Sequence, residues 1–304
     1  MDTLRPQHVS VIDPIRPAIE HVRLMLFKPF DISKWLTVGF CAWLAYLGEG
    51  SGGSGFNYSM NDHNTSVIKD HIFTYLPLII IGVVIAIPIF IIIGLVLCWL
   101  RSRSQFMFVH CIAGNKAEVV APWNKFAGQG NSLFLFRVVV GLIGFAVVGL
   151  PLAIAVVATI ALHQTGLVAG VVSGLLVAVL GVVGAAILFI LIAKLTTDFV
   201  VPIMFLRTTS CIAGWREFLV LLSCNKARIA FYILFQIMIS LAIFFVIITV
   251  CVIGCCCCCA SLLLFVPYVG TVILLPIFVF KRAYSLFYLR QFGAQFDVFS
   301  GQVL

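Results

Sequence analysis

Four stretches without Asp, Glu, Lys or Arg divide the chain. They are residues 35–48, 71–100, 138–193 and 229–280, with 14, 30, 56 and 52 residues. Roughly 20 helical residues cross a bilayer core about 30 Å thick, so the second stretch accommodates one span and each longer stretch a hairpin of two. The first stretch reaches about 17 residues with 32–34, because the long side chain of Lys34 can extend to the interface. The pattern predicts six transmembrane helices.

The apolar stretches have the character of helices rather than of barrel strands. Residues 78–99 are apolar at successive positions, whereas barrel strands alternate apolar and polar residues over about 10 positions. The composition agrees, with 62% hydrophobic and 10% charged residues, against about 45–50% and 25% in soluble domains. The expected fold class is all-α, an integral membrane helical bundle formed by a single transmembrane domain, 1–304.

The distribution of basic residues predicts the orientation. On the six-span map, 18 of the 19 Lys and Arg residues fall on one side, and only Lys69, in a predicted outer loop at 49–72, falls on the other. By the positive-inside rule the basic side is cytoplasmic, which includes both termini and a tail at 284–304. The formal net charge of +8 then reflects topology and contact with anionic lipid headgroups rather than binding to nucleic acid.

Three cytoplasmic segments resemble one another. In the first, Ile15, Ile19, Val22 and Leu26 form one apolar face after the helix-start signal Asp13-Pro14. The other two share a Cys-Ile-Ala-Gly string, at 111–114 and at 211–214. The pattern favours interfacial amphipathic helices that each precede a transmembrane hairpin, in three repeated units. Their limits are about 14–99, 103–194 and 199–283. The alternative is that interfacial helices in general use the same residue types.

Arginine and tryptophan in these segments are the candidate lipid-contact residues. Guanidinium groups recognise phosphate, and tryptophan is enriched at the membrane–water interface. The predicted lipid-interface residues are Arg101, Arg103, Trp123, Trp215 and Arg216. The expected partners are membrane lipids with anionic headgroups, together with a protein partner or further copies of the chain.

A stripe of small residues marks the fourth predicted span. It contains Gly166, Gly170, Gly174, Ala178 and Gly181. Small residues let membrane helices approach closely, so the stripe predicts helix packing, most simply against the third span. A subunit interface or a pore lining are the alternatives.

The remaining polar and thiol-bearing clusters point to no defined chemistry. Five consecutive cysteines, Cys255 to Cys259, are expected to pack as small hydrophobic groups, with disulfide, metal and acyl attachment left open. Asp62, His63, Asp70 and His71 are expected in a solvated loop, with a divalent metal as the alternative. No catalytic, cofactor or metal site is predicted, and an enzyme is not expected.

Several short strings carry a resemblance to a known family. They are 101–108 (RSRSQFMF), 131–137 (NSLFLFR), 267–270 (PYVG) and 282–286 (RAYSL). The chain resembles a family of uncharacterised prokaryotic multi-pass membrane proteins. It is also distantly similar to the membrane domain attached to some glycerophosphodiester phosphodiesterases. The resemblance implies a bacterial inner membrane location and about six spans, but no activity, because the phosphodiesterase domain of those relatives is a separate soluble barrel.

The expected function follows from the predicted spans and from the missing intramembrane charge. Apart from the residue at the mouth of the third span, Arg137, the predicted spans have no ionisable group in their cores, and ion-coupled transport needs such groups. We therefore expect a non-catalytic, lipid-interacting scaffold or accessory subunit. A passive channel or facilitator, with several copies of the chain, is the alternative.

Overall fold

The computed structural model describes residues 9–47, 65–154, 157, 168–256 and 266–300. Within them the structure is helical and contains no strand, which confirms the all-α class. In chain order the helices are α1 (Ile15–Val22), α2 (Ile32–Ala45), α3 (Thr65–Gly114), α4 (Val120–Lys125), α5 (Ala127–Gly144), α6 (Val168–Leu195), α7 (Val201–Arg207), α8 (Cys211–Cys224), α9 (Lys226–Cys256), α10 (Pro267–Ile273) and α11 (Leu275–Arg290). Because α3 begins at Thr65, residues 65–72 of the predicted outer loop are helical.

Four helices in the described ranges are long and apolar enough to cross a membrane. They are Val84–Gly114, Ala127–Ile154, Val179–Arg207 and Lys226–Thr249. The prediction of six spans is therefore wrong. The first predicted span is α2, whose 14 residues extend only about 21 Å at 1.5 Å per residue. The last predicted span is divided at Leu274 into two short helices, α10 and α11.

The four long apolar helices are largely exposed within the single chain. In the most apolar 18 residues of each helix, at most 11% of the positions are buried, and in Val84–Gly114 none is. Apolar surface on this scale is covered by lipid or by other protein in a stable molecule. The most apolar part of each of these helices therefore extends beyond the packed core of the chain.

The core combines segments that the sequence pattern predicts to lie on the membrane surface with residues of the predicted first and last spans. Phe106, Val109 and Phe199 are completely buried, as are several residues of α7 and α11. A separate surface helix after residue 103 is a wrong prediction, since α3 continues without a break to Gly114. The apolar side chains of these segments pack against one another because that arrangement removes them from water more completely than the headgroup region does.

The two copies of the Cys-Ile-Ala-Gly string occupy different positions. The string at 111–114 ends α3, whereas the string at 211–214 begins α8. The boundary between the first two predicted units, at 99–103, lies inside α3. The three-unit repeat stays a prediction, and the strings that suggested it do not mark equivalent places in the fold.

The N-terminal helix α1 packs against α11, and only part of the apolar face predicted from its periodicity is buried. Val22 and Leu26 are buried, while Ile19 is 55% exposed. On the same helix, Nε2 of His21 lies 3.0 Å from the carbonyl oxygen of Ile112, and the imidazole ring stands edge-on to Phe299 at 5.2 Å between centroids. His21 therefore joins α1 to the end of α3 and to the C-terminal segment.

We expect His21 to make the stability of the protein depend on pH. Burial, the largest cause, lowers the pKa of His21 below its ordinary value of 6.5, and the charge of Lys34 acts in the same direction. The unfolded chain therefore takes up a proton first as the pH falls. The contribution of His21 is complete above about pH 6.5 and is lost as the pH falls through the lower pKa of the folded state.

Thermal unfolding in detergent at pH 7.5 and at pH 5.5 measures this effect. The wild type should lose stability at the lower pH. His21→Gln keeps an N–H donor for the Ile112 carbonyl without a titrating group, so its loss should be smaller. Equal losses in both proteins would assign the pH effect to other groups.

Candidate functional site

An arginine held between two tryptophans lies where the apolar part of α3 ends. The guanidinium carbon of Arg103 is 4.9 Å from the ring centroid of Trp99 and 4.8 Å from that of Trp123. The two indoles meet edge to face at 5.7 Å, and Trp99 Nε1 donates to Asn131 Oδ1 at 3.0 Å. Cation–π contacts on both sides fix the guanidinium group at this level of the helix. We call Trp99, Arg103 and Trp123 the Trp–Arg–Trp cluster.

A glycine on α5 lets that helix approach the arginine. A Cβ atom at Gly130 would lie 2.6 Å from Cγ and 3.1 Å from Cα of Arg103. Any side chain at position 130 would therefore push α5 away from α3. Gly130 thus lets α5 pack directly against the Trp–Arg–Trp cluster, a role that the hydrophobic pattern does not indicate.

A groove with two further arginines lies between α3, α5 and α6. Its volume is about 510 Å³. Arg101 and Arg137 line one end, and Arg137 Nη1 donates to Ser102 Oγ at 3.0 Å. Both arginines are partly buried. The structure thus brings Arg101, Arg103 and Trp123, all predicted at the lipid interface, to one end of the apolar helices.

The other two predicted interface residues lie on α8. Trp215 is partly buried, with its ring 5.9 Å from that of Phe136 and 5.6 Å from that of Phe218. Its buried Nε1 has no hydrogen-bond partner among the residues that the structure describes. Arg216 is exposed. Trp215 therefore acts mainly as a packing residue between α8 and α5, whereas Arg216 lies on the outer side of α8.

The predicted small-residue stripe lies on or beside α6. Gly166 lies outside the described residues, and Gly170, Gly174 and Ala178 belong to α6. A Cβ atom at Gly181 would meet no atom of the described residues within 4 Å. At Gly144 of α5, a Cβ atom would lie in ordinary van der Waals contact with the Phe189 ring of α6, at 3.5 Å. The packing role of the stripe stays a prediction.

A buried carboxylate is the feature that the sequence pattern missed. Asp198 is one of the few charged residues in the core and lies in the π-helical turn Thr196–Val200. Its Oδ2 accepts a hydrogen bond of 3.0 Å from the Tyr232 hydroxyl and lies 3.0 Å from Lys194 Nζ. Gln236 Nε2 donates in turn to the Tyr232 hydroxyl at 2.9 Å. These four residues form a polar network between α6 and α9.

A second cation lies beside this network. Arg282 of α11 is buried and donates through Nη1 to the carbonyl oxygen of Thr197. The network therefore joins three helices that are far apart in the chain. The signal for it was the polar run 196–198 (TTD), which interrupts an otherwise apolar helix. Because the run lies between two predicted spans, the sequence pattern gave no reason to expect that Asp198 is buried.

The other chemical candidates are only partly within the described residues. Asp62, His63 and the cysteines from 257 to 259 lie outside them. Asp70 and His71 belong to α3, and Cys255 and Cys256 to the end of α9. Among the residues that the structure describes, no group of three or more His, Cys, Asp or Glu side chains is arranged to hold a metal ion.

Long helices whose most apolar parts are exposed and bordered by arginine and tryptophan define a helical membrane protein. The chain belongs to a family of unknown function, DUF7544, whose model matches residues 9–263. No curated protein and no solved structure matches the chain. The expected similarity to the membrane domain of glycerophosphodiester phosphodiesterases therefore has no support from these comparisons.

Proposed function

We propose that the protein is a multi-pass integral protein of the bacterial inner membrane that acts as a non-catalytic, lipid-interacting scaffold or accessory subunit. The observation that carries the proposal is the Trp–Arg–Trp cluster at the end of an apolar helix whose surface is exposed. Tryptophan at this level anchors a helix at the interface, and arginine binds phosphate.

The charges around the cluster favour anionic lipid. Arg101 lies on α3 with Trp99 and Arg103, and Lys125 is the last residue of α4, which carries Trp123. Lys125 Nζ is 5.5 Å from the centroid of the Phe126 ring. A basic side chain near an anionic leaflet contributes about 1 kcal/mol of binding free energy. Several such side chains on one level give a clear preference for an anionic over a zwitterionic membrane.

The lipid preference is tested by thermal unfolding in nanodiscs. We expect the wild type to be more stable in nanodiscs that contain phosphatidylglycerol than in nanodiscs of phosphatidylcholine alone. Arg103→Gln should reduce this difference, because it removes the charge that the two tryptophans hold. Lys116→Gln, which removes an exposed charge from the turn after α3, is the matched control. A wild type with equal stability in both membranes would contradict the proposal.

The proposed orientation has its own test. The excess of basic residues on one side supports cytoplasmic N and C termini. A C-terminal fusion to green fluorescent protein should therefore fluoresce in bacterial cells, whereas a fusion to alkaline phosphatase at the same position should be inactive. The opposite result for both reporters would reverse the proposed topology.

A passive channel is the second candidate function. It is favoured by the low burial of the four apolar helices, since copies of the chain could cover one another there. Native mass spectrometry from lipid nanodiscs separates the two candidates. A monomer that retains anionic lipid, or a complex with a stoichiometric foreign subunit, supports the scaffold. A closed homo-oligomer supports the channel and leads to flux assays.

A further inference from the structure

The groove between α3, α5 and α6 has one polar end and one apolar wall. At the polar end lie Arg101, Arg137 and Thr197. The wall runs along α5 from Val140 to Val148 and along the facing side of α6. A volume of about 510 Å³ lies within the range of sites that hold one small ligand. An occupant of this groove would need an anionic group and an apolar chain.

The polar end is built to hold an anion. Arg137 is positioned by its hydrogen bond to Ser102 Oγ, and that hydroxyl donates in turn to the Cys98 carbonyl at 2.8 Å. The described residues that line the groove include two arginines and no carboxylate. The nearby carboxylate of Asp198 pairs with Lys194 and accepts a hydrogen bond from Tyr232. The two arginines give the described lining of the groove a formal positive charge.

The length of the groove matches one leaflet. Arg137 and Val148 are eleven residues apart on one continuous helix, which corresponds to about 16 Å. Half of a hydrocarbon core about 30 Å thick is about 15 Å. With the arginines at headgroup level, the apolar wall reaches about as deep as one acyl chain. A soluble phosphate compound would fill only the polar end.

Two glycines on α5, Gly141 and Gly144, leave space in the groove for an acyl chain. A Cβ atom at Gly141 would meet no atom within 4 Å, so this position borders open space. At Gly144 a Cβ atom would touch the Phe189 ring at 3.5 Å, so the ring forms the floor of the groove there. A large side chain at position 141 would project into the space that a chain would occupy, without displacing a neighbouring residue.

We infer that this groove is a binding site for one anionic phospholipid. The phosphate lies between Arg101 and Arg137, and one acyl chain lies along the wall formed by Val140, Gly141, Gly144 and Val148. Arginine is suited to this role because its planar fork donates two parallel hydrogen bonds to a phosphate. The inference rests on the proposed lipid-interacting function and assigns it a defined, stoichiometric site, distinct from the general contact at the Trp–Arg–Trp cluster.

Native mass spectrometry of the purified full chain tests the site. The protein is exchanged into detergent micelles with phosphatidylglycerol, and the retained lipid is counted while the phosphatidylglycerol concentration is varied. We expect one tightly held phosphatidylglycerol in the wild type. Arg137→Gln removes a charged hydrogen-bond donor and should weaken its binding about tenfold. Gly141→Leu should remove the bound lipid by filling the groove.

Matched variants separate the site from general effects. Gly184→Leu places the same side chain at another glycine with open space, on α6 but outside the groove, and should retain the lipid. Lys116→Gln removes one charge elsewhere and should also retain it. Arg137→Lys, which keeps the charge without the fork, should give intermediate binding. The melting temperature of each lipid-free variant identifies any that fails to fold, and Arg137→Lys then stands in for Arg137→Gln.

The outcomes are distinguishable. If Gly141→Leu and Gly184→Leu retain lipid equally, or if Arg137→Gln behaves as Lys116→Gln, the groove site is overturned while the proposed function stands. If the wild type shows no preference for phosphatidylglycerol over phosphatidylcholine, the proposed function falls as well. If excess inorganic phosphate removes all of the retained phosphatidylglycerol, the site recognises phosphate without the acyl chain, and the lipid inference is overturned.

Discussion

Replacing Phe199 with alanine should lower the free energy of unfolding by about 3–5 kcal/mol, the usual cost of removing a large aromatic side chain from a packed core. Phe199 is completely buried, and its ring lies 5.1 Å from that of Phe218 and 5.0 Å from that of Tyr232. Alanine would leave a cavity at the junction of α7, α8 and α9. Unfolding in mixed micelles with increasing sodium dodecyl sulfate measures the change.

The variant Phe231→Ala is the matched control. Phe231 precedes Tyr232 on α9 but is 64% exposed. Its truncation removes an exposed ring and should change the unfolding free energy by much less than Phe199→Ala. If the two substitutions cost the same, the segment around Phe199 lies on the surface, as the hydrophobic pattern alone predicts, and the core described above is wrong.

Replacing Asp198 with alanine should cost about 2–4 kcal/mol, because it leaves the buried Tyr232 hydroxyl without its acceptor and Lys194 without its partner. The side chain of Lys194 is 37% exposed and can regain water, which keeps the cost below that of a fully buried pair. The hydroxyl of Tyr232 is fully enclosed and has no such relief. The same unfolding assay applies.

A conservative variant and a double mutant identify the interaction responsible. Asp198→Asn keeps an oxygen acceptor for Tyr232 and should cost less than Asp198→Ala. Tyr232→Phe removes the donor of the same hydrogen bond. The double variant Asp198→Ala/Tyr232→Phe should therefore lose less unfolding free energy than the sum of the losses in the two single variants. Full additivity would show that the hydrogen bond of 3.0 Å between these side chains does not contribute to stability.

The sequence predicted part of the arrangement of arginine and tryptophan residues from residue type alone. Arginine and tryptophan beside an apolar stretch indicate an interface, and two of the five predicted residues, Arg103 and Trp123, contact each other between α3 and α4. Arg101, also on α3, lines the neighbouring groove. Trp215 does not join them, because its indole packs against Phe136 and Phe218. Which face of α8 turns inward depends on α5, and no local pattern contains that information.

The hydrophobic pattern of the sequence failed to predict two features, the number of spans and the position of the core. Charge-free length alone gave six spans, but α2 is too short and residues 267–290 form two helices. Segments such as 106–113 and 199–204 are apolar enough for an interface or a core, and a one-dimensional pattern cannot tell these apart. The decision depends on partners distant in the chain, such as α11 against the Thr196–Val200 turn.

The amino-acid sequence alone therefore determined the helical class and the membrane character, because both follow from the density of apolar residues and the scarcity of charge along the chain. The tertiary structure decided which apolar residues stay exposed on the single chain and which pack together. It also decided that Asp198 is buried beside Tyr232, and that Arg101 and Arg137 share one groove. These are pairings between helices, and their energy depends on distances that only the folded chain establishes.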